Sequence, residues 1–297
     1  MLPLYLKNKN KIRKTKEILL SILENCTLCP RNCRVNRLEN KKGFCKTGRF
    51  AIVSSYFLHF GEEPELVGRT GSGTIFFSNC NLGCIYCQNY TISHLGEGEE
   101  VDSFELAKIM LKLQKLKAEN INFVTPTHII PQIVEALELA IEEGLNIPLV
   151  YNCGGYEKKE TIALLDGIID IYMPDIKYAD NNIAKKFSFA DDYFEIVKEA
   201  VLEMHRQVGD LIIEDGIAKR GLLIRHLVLP NRLASSFSVL DFVRSISKDT
   251  YINIMDQYHP CFKAYEFKEL SRRITDKEYL EVLEYAKSIG LHKGFLL

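Results

Sequence analysis

Seven of the nine cysteines in this 297-residue chain fall into two tight groups. Cys80-x3-Cys84-x2-Cys87 supplies three thiolates with no obvious fourth ligand, which suits a four-iron cluster that leaves one iron open. An open coordination position is what a catalytic metal centre needs and a structural one avoids. The alternative is a zinc ion completed by a distant Cys or His, with His94 the nearest histidine in sequence. Cys26, Cys29, Cys33 and Cys45 offer four thiolates, enough for a closed site holding either zinc or a second four-iron cluster; their spacing does not choose. An odd cysteine total cannot be used up by a closed set of disulfides. No signal-like apolar stretch precedes the first group. The expectation is therefore reduced thiols in a cytoplasmic protein, used for metal or catalysis.

Such groups need a scaffold, and the hydrophobic pattern describes one. An amphipathic helix is expected over Lys11–Leu23 and a strand over Ala51–Phe60, closed by a turn at residues 61–64. Beyond Gly73, β-prone runs at Thr74–Phe77, Ile121–Thr125, Pro148–Tyr151, Ile169–Met173, Leu222–Leu229 and Tyr251–Met255 alternate with helix-like segments. One of these, Ser103–Ala118, has Asp102 or Ser103 as its N-cap; the last, Lys277–Ile289, opens with a capping box from Thr275 to Glu278. Six βα units predict an α/β protein: a partial (β/α)6 barrel or an open parallel sheet, carrying an N-terminal cysteine-rich extension. The division is placed at residues 1–72 and 73–297. In either architecture functional groups collect at the C-terminal ends of the strands. Cys80 lies just past such an end.

The triad Cys80, Cys84 and Cys87, with Tyr86 before its last member, resembles the radical S-adenosylmethionine (SAM) superfamily. The wider run Phe76–Asn89, together with the N-terminal cysteine loop, is similar to proteins of the pyruvate formate-lyase activating enzyme-like family. The resemblance implies the partial (β/α)6 barrel, a [4Fe-4S] cluster on Cys80, Cys84 and Cys87, and SAM chelated to the open iron. It further implies reductive SAM cleavage to a 5′-deoxyadenosyl radical that abstracts hydrogen, with Tyr86 near the adenine. The Gly-Gly-Glu that holds the SAM amino group in many members is replaced by Val124-Thr125-Pro126-Thr127-His128; Thr125, Thr127 and backbone carbonyls are the substitutes, and His128 is a further candidate. Asn152, after the third strand, is placed near SAM. Asp175 and Lys177 match the family's Asp-x-Lys element, and their alternation with apolar residues points both toward one polar cavity. Of the neighbours Arg225 and His226 only one can face inward; the family pattern selects Arg225, facing the SAM carboxylate. His259 is assigned to the adenosyl group by its Tyr-His segment. Cys261 is expected to be an ordinary buried thiol.

The formal net charge of −1 conceals an asymmetry: residues 1–50 carry 13 Lys or Arg against three Glu. No aromatic residues interleave this basic run, which weighs against a base-stacking surface for nucleic acid. No apolar run is long enough to span a membrane. The functional expectation is a radical SAM enzyme that activates a glycyl radical enzyme, drawing electrons from a ferredoxin or flavodoxin. The alternatives are a radical SAM enzyme acting on a small molecule, peptide or RNA, and a non-catalytic iron–sulfur or zinc protein.

Overall fold

The computed structural model describes residues 1–295. Helices α1 (Leu4–Lys7) and α2 (Lys9–Ile22) precede the first cysteine loop, and β1 (Ala51–His59), α3 (Pro64–Val67) and β2 (Ser72–Phe77) follow it. After the second cysteine loop come α4 (Tyr90–Ser93), β3 (Glu99–Val101), α5 (Ser103–Lys115), β4 (Ile121–Val124), α6 (Ile130–Glu142), β5 (Leu149–Cys153), α7 (Lys159–Leu164) and β6 (Ile171–Pro174). The chain continues through α8 (Asn181–Ser188), α9 (Tyr193–Val208), β7 (Ile212–Glu214), β8 (Ile217–Leu227), α10 (Ser236–Ile246), β9 (Tyr251–Met255) and α11 (Asp276–Ser288).

Strands β2, β4, β5, β6, β8 and β9 lie side by side in that order, each parallel to the next. β1 adds antiparallel to β2, and β3 antiparallel to β1. Among the described residues no pairing joins β9 to the opposite edge. The expected six-unit parallel arrangement is thus present as an open, partial (β/α)6 barrel. The division drawn at residues 72 and 73 falls inside β2, and β1 shares its sheet.

Strand alternation sorts the side chains. Phe123, Tyr151, Tyr172, Ile224 and Ile252 are buried in the large core beneath the helices, while their neighbours Asn122, Asn152, Met173, Arg225 and Asn253 take the opposite face. The inner face has its own smaller core, in which Val150, Ile171, Met173, Leu223 and Tyr251 surround Leu66. Leu66 belongs to α3, so the segment between β1 and β2 plugs the barrel. Its hydrogen bonds reach three strands: Asn122 donates to Glu62 at 3.1 Å, Arg225 to Glu62 at 3.3 Å and Asn253 to Glu63 at 2.8 Å.

The caps behave as the sequence predicts. Asp102 and Thr275 each accept from the backbone N–H three residues on, in reciprocal capping boxes with Glu105 and Glu278. Several elements were not anticipated, the β7–β8 hairpin and α8 among them. The hairpin β7–β8 turns through Asp215 and Gly216, both at positive φ, which is the pairing of conformations that a two-residue type I′ hairpin demands. Helix α8 is short and capped by Asp180, whose carboxylate accepts from Asn182 N–H at 2.8 Å. Among the described residues no helix is long and apolar enough to cross a membrane.

Candidate functional site

At the C-terminal ends of the parallel strands lies a cavity of about 260 Å³. Cys80, Cys84, Cys87 and Tyr86 line it from the loop after β2, Thr125 from the end of β4, Asn152 and Gly154 from β5, Asp175 and Lys177 from β6, Arg225 from β8, and Met255 and Gln257 from β9. Six strand ends therefore converge on one space, as parallel barrels require.

Hydrogen bonds hold the thiols in place. Leu82 N–H donates to Cys80 Sγ at 3.3 Å, Ser188 Oγ donates to Cys84 Sγ at 3.0 Å, and Cys87 Sγ lies 3.1 Å from Ser93 Oγ. Burial pushes the Cys80 and Cys84 thiols up, opposed at Cys84 by the Lys177 ammonium. A thiophilic metal reverses that balance by displacing the protons. His94, the nearest histidine, has its Nε2 3.0 Å from the Cys84 carbonyl and donates there, so it braces the cysteine loop.

Opposite the thiols sits a charged network. Arg225 donates from Nε to Asp175 at 2.9 Å, from Nη1 to Glu62 at 3.3 Å and from Nη2 to Asn152 at 2.7 Å. Lys177 Nζ donates to Asp175 at 2.7 Å. Burial alone would raise the Asp175 carboxyl, but the Arg225 and Lys177 cations outweigh it and hold the group below its ordinary range. Lys177 is raised well above its own, burial being overcome by Asp175. Both side chains keep about a fifth of their surface exposed, as cavity walls do. The guanidinium has five N–H donors, so three are committed and two remain for a ligand.

Thr125 stands at φ +63°, a left-handed conformation that a β-branched residue rarely accepts, with its N–H donated to the Asn152 carbonyl at 2.8 Å. Strain of this kind collects at functional sites.

Four expectations need correction. Thr127 does not reach the cavity: it is buried, and its hydroxyl donates to the carboxylate of Glu157. His128 faces away as well, its Nε2 2.9 Å from the Ser78 carbonyl. The cause is the turn at Thr125, after which Thr127–Ile129 form a 3-10 turn and strand alternation no longer governs direction. His259 does not line the cavity; it sits at the rim, 3.4 Å from Gln88 Nε2. Cys261 is also partly exposed rather than buried. His226 faces α10, as expected of the neighbour of an inward Arg225, with Nε2 2.8 Å from Ser236 Oγ. Three contributors were not foreseen: Ser93, Ser188 and Glu62. Ser188 and Glu62 lie far along the chain from the groups they touch, and no local pattern marks them.

The second cysteine group stands apart. Cys26, Cys29, Cys33 and Cys45 line a separate cavity of about 10 Å³ with Arg37 and His128. Among the described residues no three His, Cys, Asp or Glu are grouped so as to hold one metal ion. That is as true of Cys80, Cys84 and Cys87 as of these four, so spacing alone does not set the two sites apart.

The chain is 34% identical over 285 residues to "Uncharacterized protein MJ0674" of Methanocaldococcus jannaschii, an alignment covering 93% of this chain and 78% of the relative. The family model "Radical SAM superfamily" matches residues 74–216, from β2 through the β7–β8 turn. This chain contains a radical SAM superfamily domain. The domain implies an enzyme of radical SAM type that uses a [4Fe-4S] cluster and SAM, and three soft thiols opening onto a cavity with a free guanidinium edge are a donor set that fits both. "Uncharacterized protein MJ0808" of the same organism is 22% identical over 290 residues, covering 91% of this radical SAM chain and 78% of the relative. The solved structure "Native anSMEcpe with bound AdoMet" is 13% identical with a TM-score of 0.49, matching 76% of this chain and 59% of that one.

Proposed function

We propose that the cavity at the strand ends is where SAM is bound and reductively cleaved, with Cys80, Cys84 and Cys87 as the cluster ligands. The observation that carries this is the meeting, in one space, of the triad with Asn152, Asp175, Lys177 and Arg225. When bound, the reduced cluster supplies the electron that opens the SAM sulfonium for hydrogen abstraction. The chain's own part is positional. The two unspent N–H donors of Arg225 receive the SAM carboxylate, Asp175 fixes the guanidinium plane, and Lys177 offsets the charge of the thiolates. Backbone groups around the strained Thr125 take the amino group in place of Gly-Gly-Glu, and the loop at Tyr86 borders the adenine. Tyr86 is itself held edge-on to Tyr178 and Tyr258, so the loop has a rigid seat.

The experiment is anaerobic reconstitution, reduction and addition of SAM, with 5′-deoxyadenosine as the readout. The expected result is product from the wild type; its absence there would sink the reading.

The finer reading is activation of a glycyl radical enzyme in the cytoplasm, with a ferredoxin or flavodoxin as electron donor. It rests on the similarity of the run Phe76–Asn89 to activating enzymes. A second metal centre on the N-terminal thiols, zinc or [4Fe-4S], accompanies it. That centre is supported by a buried cation with no carboxylate partner among the described residues: Arg37, 1% exposed, hydrogen-bonds the Gly48 carbonyl and, at 3.9 Å, Cys26 Sγ. A buried guanidinium needs a counter-charge, and thiolates on a metal supply one.

A further inference from the structure

The small N-terminal cavity contains one more donor than its cysteines. At about 10 Å³ it has room for roughly one water molecule, so no organic ligand fits there. Its walls are the four thiols, the Arg37 guanidinium and the imidazole of His128, which arrives from the barrel, just beyond β4. His128 is 1% exposed. Its Nε2 lies 2.9 Å from the Ser78 carbonyl, and a carbonyl only accepts, so Nε2 carries the ring proton. In the neutral ring Nδ1 then holds a bare lone pair. Nδ1 is buried and has no hydrogen-bond partner among the described residues. An orphaned acceptor in a closed space loses its water without gaining a partner, which is unfavourable. Metal-binding histidines have this same arrangement, one ring nitrogen on the metal and the other donating to a carbonyl or carboxylate.

The thiols are not equivalent. Cys26, Cys29 and Cys45 are buried, and Cys33 is not. Three buried thiols and a buried imidazole lining one closed space are a donor set for a soft metal ion.

We propose that His128 Nδ1 is a ligand of the metal centre in this cavity, completing a set with Cys26, Cys29 and Cys45 and leaving Cys33 outside it. The proposal rests on the reading of the N-terminal thiols as a metal site and adds to it a ligand from the barrel. Three thiolates and a neutral imidazole around a space for one water-sized sphere suit a single ion such as zinc. The centre is then tied to the catalytic loop: the ring that binds the metal also holds the carbonyl of Ser78, two residues before Cys80. Two further contacts run alongside, Arg31 Nε donating to the Asn81 carbonyl at 2.8 Å and Asn79 Nδ2 to Thr47 Oγ1 at 3.3 Å.

The test uses the full chain with Cys80, Cys84 and Cys87 changed to Ala, so that metal bound tightly reports the N-terminal site. Metal analysis identifies zinc or iron, and X-ray absorption at that edge reads the ligand shell. The expected result is a mixed sulfur and nitrogen shell. In this background His128→Gln, whose amide can still donate to the Ser78 carbonyl but which lacks Nδ1, should lose the nitrogen and bind metal ~10–100-fold more weakly. Cys33→Ser should retain both metal and nitrogen. An all-sulfur shell, a shell unchanged by His128→Gln, or loss of the metal in Cys33→Ser would overturn the ligand set while leaving the centre itself standing. No metal in the triple variant, with its fold intact by circular dichroism, would overturn the centre and the proposal together.

Discussion

The two cysteine sites use the same side chain in opposite ways. Cys80, Cys84 and Cys87 form one wall of a cavity of about 260 Å³ whose other walls are charged and only four-fifths buried. Cys26, Cys29, Cys33 and Cys45 enclose about 10 Å³, and the cation beside them is fully buried. The first arrangement leaves space where a co-substrate can approach a metal; the second leaves none. In the proposed assignment the open site uses three thiols and leaves a coordination position free, while the closed site adds an imidazole to three thiols and leaves none.

The sharpest way to break this contrast is to remove one thiol from each. Cys84→Ala should reduce 5′-deoxyadenosine formation to background, whereas Cys29→Ala should leave it measurable; equal loss in both would mean that the closed site is as catalytic as the open one. Next in size is the charged wall. Asp175→Asn leaves Lys177 without its partner and Arg225 with a single carboxylate, and should destabilise the fold by about 3 kcal/mol in urea unfolding.

Glu157 lies between the sites, bonded by Thr127 and by Tyr151 at 2.9 Å. Burial raises it from 4.5 to about 7, against the hydrogen bonds that lower it. The folded state therefore holds this proton more tightly than the unfolded chain does. The associated stability is complete below the unfolded pKa and disappears as pH rises through about 7, a loss of about 3 kcal/mol. Glu157→Gln should flatten that part of the stability–pH curve; an unchanged slope would assign it to another group. The smallest effect belongs to a position remote from both sites. Asp102→Ala removes the α5 cap and should cost about 1 kcal/mol with SAM cleavage per folded molecule unchanged.

Much of the open site is legible in the sequence because its charged groups sit on strands or just past their ends. Period-two alternation fixes that Asp175 and Lys177 share a side and that Arg225 and His226 do not, and the structure agrees at all four. Direction is lost where the period ends. Thr127 and His128 were expected in the SAM cavity, but the left-handed turn at Thr125 redirects them; His259 follows β9 on a loop with no period at all. Ser188 and Glu62 were invisible for a different reason. They approach the site through tertiary packing of α8 and of the plug, and nothing in their own neighbourhood distinguishes them from a surface serine or a turn glutamate. The Asp215-Gly216 turn was legible in principle, since only a few residue pairs suit its backbone.

The plug has a bearing on how the chain is made. Glu63 accepts from Asn253 and Glu65 from the Tyr251 hydroxyl, contacts separated by 190 and 186 residues. During synthesis the plug leaves the ribosome long before the strand that fastens it. Leu66 must wait, exposed or loosely covered, until β9 arrives. Contacts of such long range slow folding, and exposed apolar surface in the interval invites aggregation. Nascent chains stalled before Tyr251 should therefore be cleaved by protease near Leu66, and full-length chains should be protected there.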